Sequence, residues 1–173
     1  MKRTFVTILA ASAMTLGVGQ AKTHDMPGQA RNDFRNIEDL AAHAAVSADE
    51  LNAPSHNGRP SDVDLVDLNV IKGDINDAGK ELRKLDQERG ALLPWQEHLL
   101  DRVNALMADA ARNATQALRY YNENPLRPIG SEYRGYLEQV HTDTTQAATL
   151  VRESLQLDKA RATEQKIEQR LGD

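Results

Sequence analysis

The chain contains no cysteine. That absence removes disulfide stapling, thiol catalysis, cysteine-borne lipid and covalent haem attachment together. Aromatic residues are scarce at 4%, with one tryptophan and two phenylalanines, whereas cofactor cavities are usually walled by aromatic rings. Basic charge is not in excess either: 21 lysines and arginines stand against 26 acids, for a net charge of −5. Nucleic acid and anionic lipid are therefore not the expected partners. No apolar run reaches the roughly 20 residues of a membrane span. Nor is there a Gly-x-Ser-x-Gly turn, a glycine-rich phosphate loop or a His-Glu-x-x-His pair. No catalytic residue is assigned, and an enzyme is not expected.

What is present begins with Met1-Lys2-Arg3-Thr4, an acid-free apolar stretch from Phe5 to Val18, and the small residues Gly19 and Ala21 flanking Gln20. These are the three parts of a secretory signal peptide, expected to be cut after Ala21. Removal would leave 152 of the 173 residues, and loss of Lys2 and Arg3 would take the net charge from −5 to −7. A chain of that size suits a single domain, periplasmic or extracellular.

Residues 22–31, which contain Pro27 and Gly28, read as a flexible tail before a single helical domain over 32–173. Phe34, Ile37, Leu40, Ala41 and Ala44 recur at helical spacing and predict a short helix from Asn32 to Val46. Residues 47–60, punctuated by Pro54, Asn57-Gly58 and Pro60, predict a linker. A second helix is expected from Ser61 to Gly90, with Ser61 as its cap. A third follows from Trp95 to Asn122, with Pro94 suited to its first position. The fourth starts at Ser131, keeps its apolar pattern to Ser154 and continues in polar form to Leu171, where its last turns would overhang the bundle.

Three of these segments carry heptad seams. They are Leu68, Ile71, Ile75, Ala78, Leu82, Leu85; then Leu99, Val103, Leu106, Ala110, Asn113, Ala117; then Leu137, Val140, Thr144, Ala147, Val151, Ser154. Read in opposite directions the seams interlock: Leu85 meets Leu99, Ile75 meets Ala110, and Leu68 meets Ala117. The second and third do the same, Leu106 meeting Ala147 and Ala117 meeting Leu137. Large residues thereby face small ones, as dense packing demands. The predicted fold is all-α, an antiparallel up-down bundle of three long helices with a shorter N-terminal helix, a three- to four-helix bundle in all. Asn113 is the polar exception, expected to fix register from inside the seam. Gly73 and Gly79 interrupt the second helix, marking either a close approach or a soft segment.

Metal chemistry finds no support. A dinuclear carboxylate site needs two Glu-x-x-His pairs, and only Glu138-Gln139-Val140-His141 is present. A calcium loop begun at Asp74 puts Gly79 correctly but places Ala78 and Leu85 where oxygen ligands belong. Met107 and His141, the nearest approach to a haem clamp, are expected about 7 Å apart along the bundle axis. No cofactor and no metal are expected.

One cluster stands out. Tyr120, Tyr121, Tyr133 and Tyr136 flank the connection between the third and fourth helices, with Arg119, Arg127 and Arg134 among them. Tyrosine and arginine dominate protein-binding surfaces. The same rings could equally close the bundle over Val63 and Leu65, with the arginines meeting Asp62, Asp64 and Asp67. No motif specific to a known family is carried. The expected function is that of an exported, non-enzymatic protein-binding or structural module of the cell envelope, its candidate surface being Tyr120, Tyr121, Arg127, Tyr133, Arg134 and Tyr136. The alternatives are a periplasmic chaperone-like bundle and a metal- or haem-binding one. A further possibility is self-association, with the amphipathic first helix docking on a second copy if it does not complete the bundle in its own chain.

Overall fold

A computed structural model describes residues 26–53, 62–124 and 130–172. Four helices account for nearly all of them: α1 (Gly28–Asn52), α2 (Asp62–Gln87), α3 (Pro94–Glu123) and α4 (Ser131–Gly172), with a 3-10 turn at Arg89–Ala91 between α2 and α3. The protein is an all-α bundle, and no strand occurs among the described residues. The signal-peptide segment, Ser61 and Pro125 to Pro128 lie outside the described residues.

The heptad seams of α2 and α4 become the interior. All six positions of the α2 seam are buried, from Leu68 to Leu85. On α4 the line Leu137, Val140, Thr144, Ala147 and Val151 is buried, and Ser154 is half-buried. Thr144 satisfies its hydroxyl inside its own helix by donating to the Val140 carbonyl at 2.7 Å. Antiparallel pairing is visible at one end of the bundle, where the Tyr133 ring sits 6.4 Å from Tyr120 and 6.3 Å from Tyr121. Those contacts continue the expected pairing of Ala117 with Leu137 by one turn. Between α2 and α3, Ile75, Leu82, Met107 and Ala111 line one groove, as the expected level of Ile75 and Ala110 requires.

Two expectations are corrected and one left open is decided. First, α1 is not a short helix between a tail and a linker; at 25 residues it nearly equals the 26 of α2. Residues 28–31 are its first turn, Met26 and Ala30 are buried, and residues 47–52 are helical with Ala48 and Leu51 buried. Its apolar line is Ala30, Phe34, Ile37, Ala41, Ala44, Ala48 and Leu51, an unbroken heptad whose alanines conceal it from a scan for large residues.

Second, of the two arrangements left open for α1, the structure has it complete the bundle within its own chain, packing against α4 on one side and α2 on the other. The ties are antiparallel: Arg152 of α4 donates to Glu38 at 2.7 Å, and His43 Nδ1 lies 2.6 Å from Asp74 of α2. The α1–α4 contact is the most extensive in the molecule. Alanines allow this, since Ala44 and Ala48 on one helix and Ala147 and Ala148 on the other are buried and bring the rods close.

Third, the buried face of α3 is turned from the expected seam. Gln96, Leu100, Met107 and Ala114 join Leu99, Val103, Ala110 and Ala117 in the interior, while Leu106 and Asn113 are only half-buried. The fourth helix is the reason: with α1 present, α3 faces a central axis rather than two neighbours alone. Asn113 donates to the Asp109 carbonyl of its own helix at 3.0 Å, so it is not a buried register pin.

The glycines of α2 mark no close approach. A Cβ on Gly73 would meet nothing within 4 Å, and one on Gly79 would touch only the flexible end of Arg83 at 3.6 Å. Gly73→Ala is therefore expected to raise stability by about 1 kcal/mol, since the helix gains a better former at no steric cost. Thermal unfolding followed by circular dichroism checks this; a lower midpoint would show that the open space at Gly73 is needed.

Candidate functional site

The tyrosine cluster forms one end of the bundle, where α3 finishes and α4 starts. Tyr133 is 1% exposed, and its neighbours Tyr120, Tyr121 and Tyr136 are half-buried. Gly130 sets the approach: a Cβ there would fall 2.5 Å from the Tyr120 hydroxyl, so the ring lies directly over the start of α4. The Tyr136 hydroxyl donates to Glu132 at 2.8 Å, and that bond to a carboxylate pushes the phenol pKa up. Arg134 is exposed. Arg119 lies 4.0 Å from Glu123 of its own helix.

The six candidate residues thus divide. Tyr133 is an interior plug, as the end-closing reading has it. Tyr120, Tyr121 and Tyr136 surround it at the surface with Arg134 nearby in sequence, whereas Arg127 lies outside the described residues. So do the side chains of Asp62, Val63 and Asp64, against which this end was expected to pack. Leu65 and Asp67 are half-buried.

The opposite end carries what the seam pattern did not anticipate: buried charge. Asp158 is 1% exposed, accepts the Met26 backbone amide at 3.0 Å and pairs with Arg31 at 2.5 Å. A carboxylate in that position also faces the positive end of the α1 dipole. The signal was present in the sequence, because four residues beyond Ser154 the α4 seam falls on an acid. Gln96 folds back at the start of α3, its side-chain oxygen accepting from the Leu93 amide at 2.9 Å, with Pro94 in the first turn as expected.

Asp33 of α1 is buried too, and Gln29 donates to it at 2.9 Å. Burial raises its pKa above the ordinary value of 3.8 and outweighs the Gln29 bond, which acts to lower it; the charges of Glu81 and Glu88 add to the rise. A carboxyl whose pKa is higher folded than unfolded supports the fold while protonated and loses that contribution as pH climbs through the raised value. Asp33→Asn is accordingly expected to match the parent protein in acid and to be the more stable of the two at neutral pH. Melting curves across that range test the sign, and a less stable variant at neutral pH would refute it.

The metal and haem candidates come apart in space. His141 Nδ1 is 3.0 Å from the Ala45 carbonyl in a groove between α1 and α4, whereas Met107 lines the groove between α2 and α3. They cannot clamp one iron. Asp74 to Leu85 is continuous helix rather than a calcium loop. Among the described residues no three histidine or acidic side chains are grouped to hold a metal ion, and no helix is long and apolar enough to cross a membrane.

Fold and site together define the class: an antiparallel four-helix bundle with a tyrosine-lined end, a charged latch at the other, and a fourth helix that outruns its partners. Comparison of the chain with protein-family models, with curated proteins and with solved structures gave no match.

Proposed function

We propose that this protein is an exported, non-enzymatic helical-bundle module of the cell envelope whose tyrosine–arginine end binds another protein. The observation that carries the reading is the packing of Tyr120 and Tyr121 against the buried Tyr133, with Gly130 leaving room for the Tyr120 hydroxyl. Tyrosine rings packed against a core have few torsions left to lose on binding, and their hydroxyls supply direction. Arg134, next to Tyr133 in sequence, adds an exposed cation on α4.

Export is tested by amino-terminal sequencing of the protein from the envelope fraction, where Lys22 is the expected first residue. Binding is tested by capture from native extract with the parent protein and with the Tyr121→Ala, Arg134→Ala double variant, after melting curves show that the variant is folded. The expected result is loss of a captured protein. An unchanged set of captured proteins would remove this end of the bundle from the function.

A further inference from the structure

We propose that the projecting end of α4 is a self-association site, at which two copies of the chain pair antiparallel through Leu157, Ala160, Glu164, Ile167 and Leu171. Asp158 is the last buried residue of α4, yet the helix runs on to Gly172. At 1.5 Å per residue the projecting rod is about 20 Å long. Apolar side chains do not disappear from it: Ile167 is 54% exposed and Leu171 83%, while Leu157, at its base beside Asp158, is 60% exposed. These three, with Ala160 and Glu164, follow one another at steps of three, four, three and four, and Ala160, Glu164 and Ile167 share one surface hollow. The stripe is a second heptad line on α4, distinct from the one in the bundle, because Leu157 is exposed where its neighbour Asp158 is buried.

The occupant follows from the pattern itself. Set against a reversed copy of itself and centred on Glu164, the stripe places Leu157 against Leu171 and Ala160 against Ile167, large against large at the ends and small against large within. The flanking positions are then complementary in charge. Arg161 and Glu168, each following a stripe residue, are both exposed and face each other twice across the two-fold axis. A parallel pairing would instead set Arg161 beside Gln156 and Glu168 beside Thr163, with no charge matched. The two-fold pairing is isologous and closes on itself. Only Glu164 opposes it, since the axis brings its carboxylate against its own copy; this keeps the association weak and makes it tunable.

The test uses the full mature chain, with mass measured by sedimentation over a range of concentration. The parent protein is expected to show a concentration-dependent dimer, Glu164→Leu to tighten it by about tenfold by replacing the paired charges with an apolar layer, and Ile167→Asp to abolish it. Because Ile167 is exposed, the melting midpoint of the monomer should not move. The absence of native cysteine gives a direct readout of direction: a mixture of Leu157→Cys and Leu171→Cys proteins should form the mixed disulfide in preference to either homodimer. Three outcomes would overturn the proposal: a monomer at every concentration for both the parent and Glu164→Leu, a dimer indifferent to Ile167→Asp, or a preferred link between two Leu157→Cys chains.

Discussion

Phe34→Ala is expected to lower the stability of the whole bundle by about 3–5 kcal/mol, corresponding to roughly 6–20 °C in melting temperature for a chain of this size. Phe34 is fully buried and is the second position of the α1 heptad line, between Ala30 and Ile37. Its neighbours along α1 are mostly alanines, which have too little volume to collapse into the space that the ring would leave. The loss should therefore lie toward the upper part of the range for an aromatic truncation. Denaturant unfolding measured by circular dichroism separates two cases. If α1 belongs to the cooperative unit, the single transition moves to lower denaturant with unchanged slope. If α1 were an accessory helix resting on a three-helix core, the main transition would stay in place and a small early one would appear. Val46→Ala serves as the matched control, since Val46 on the same helix is 55% exposed and its truncation should cost less than about 0.5 kcal/mol.

Asp158→Ala has the next largest expected effect, about 2–3 kcal/mol. One of its oxygens accepts from the Met26 amide and the other from Arg31, in a position 1% exposed to solvent. Removing the carboxylate leaves a buried backbone donor without its acceptor. Arg31, at 32% side-chain exposure, can turn toward water, which keeps the cost below that of breaking a wholly buried pair. The effect should be local as well as global: hydrogen exchange at the start of α1 should accelerate more than exchange at its Leu51 end. Asp158→Asn separates the two bonds, because the amide retains an oxygen for Met26 while surrendering the charge that holds Arg31. Its expected stability falls between those of the parent and the alanine variant. Equal losses in both variants would place the whole contribution in the ion pair.

How much of this architecture was legible follows from the size of side chains. The seams of α2 and α4 are built of leucine, isoleucine and valine at heptad spacing, and every buried position of α2 from Leu68 to Leu85 can be read directly. The same rule applied to α1 stopped at Val46 because Ala48 is small and Ser47, Asp49 and Glu50 surround it. An alanine is as compatible with solvent as with a close helix contact, and sequence spacing alone does not separate the two. The expected α3 seam matches the interior at Leu99, Val103, Ala110 and Ala117 and departs from it at Leu106 and Asn113, for a related reason. Leu106 and Met107 are adjacent apolar residues, and which of them faces inward depends on where the neighbouring helices stand. With α1 on the fourth side, Met107 is buried and Leu106 is not.

The tyrosine end was legible as a cluster but not as a division of labour. Spacing placed the four rings together, yet nothing in it distinguishes Tyr133, which fills the interior, from Tyr120 and Tyr121, which surround it. Burial is a property of the assembled end, where the rings of α3 meet those of α4.

By itself, the order of residues determined that the chain forms long helices, that consecutive helices run in opposite directions, and which levels of neighbouring helices meet. Those features depend on local periodicity and on turn chemistry between adjacent segments, both of which are written into short stretches of chain. Only the tertiary structure decided that α1 belongs to the bundle, that α3 turns Met107 inward, and that Asp33 and Asp158 are buried charges rather than surface ones. Each of those outcomes rests on contacts between segments far apart in sequence, such as Met26 with Asp158, where the environment of a side chain is set by groups that no local pattern contains.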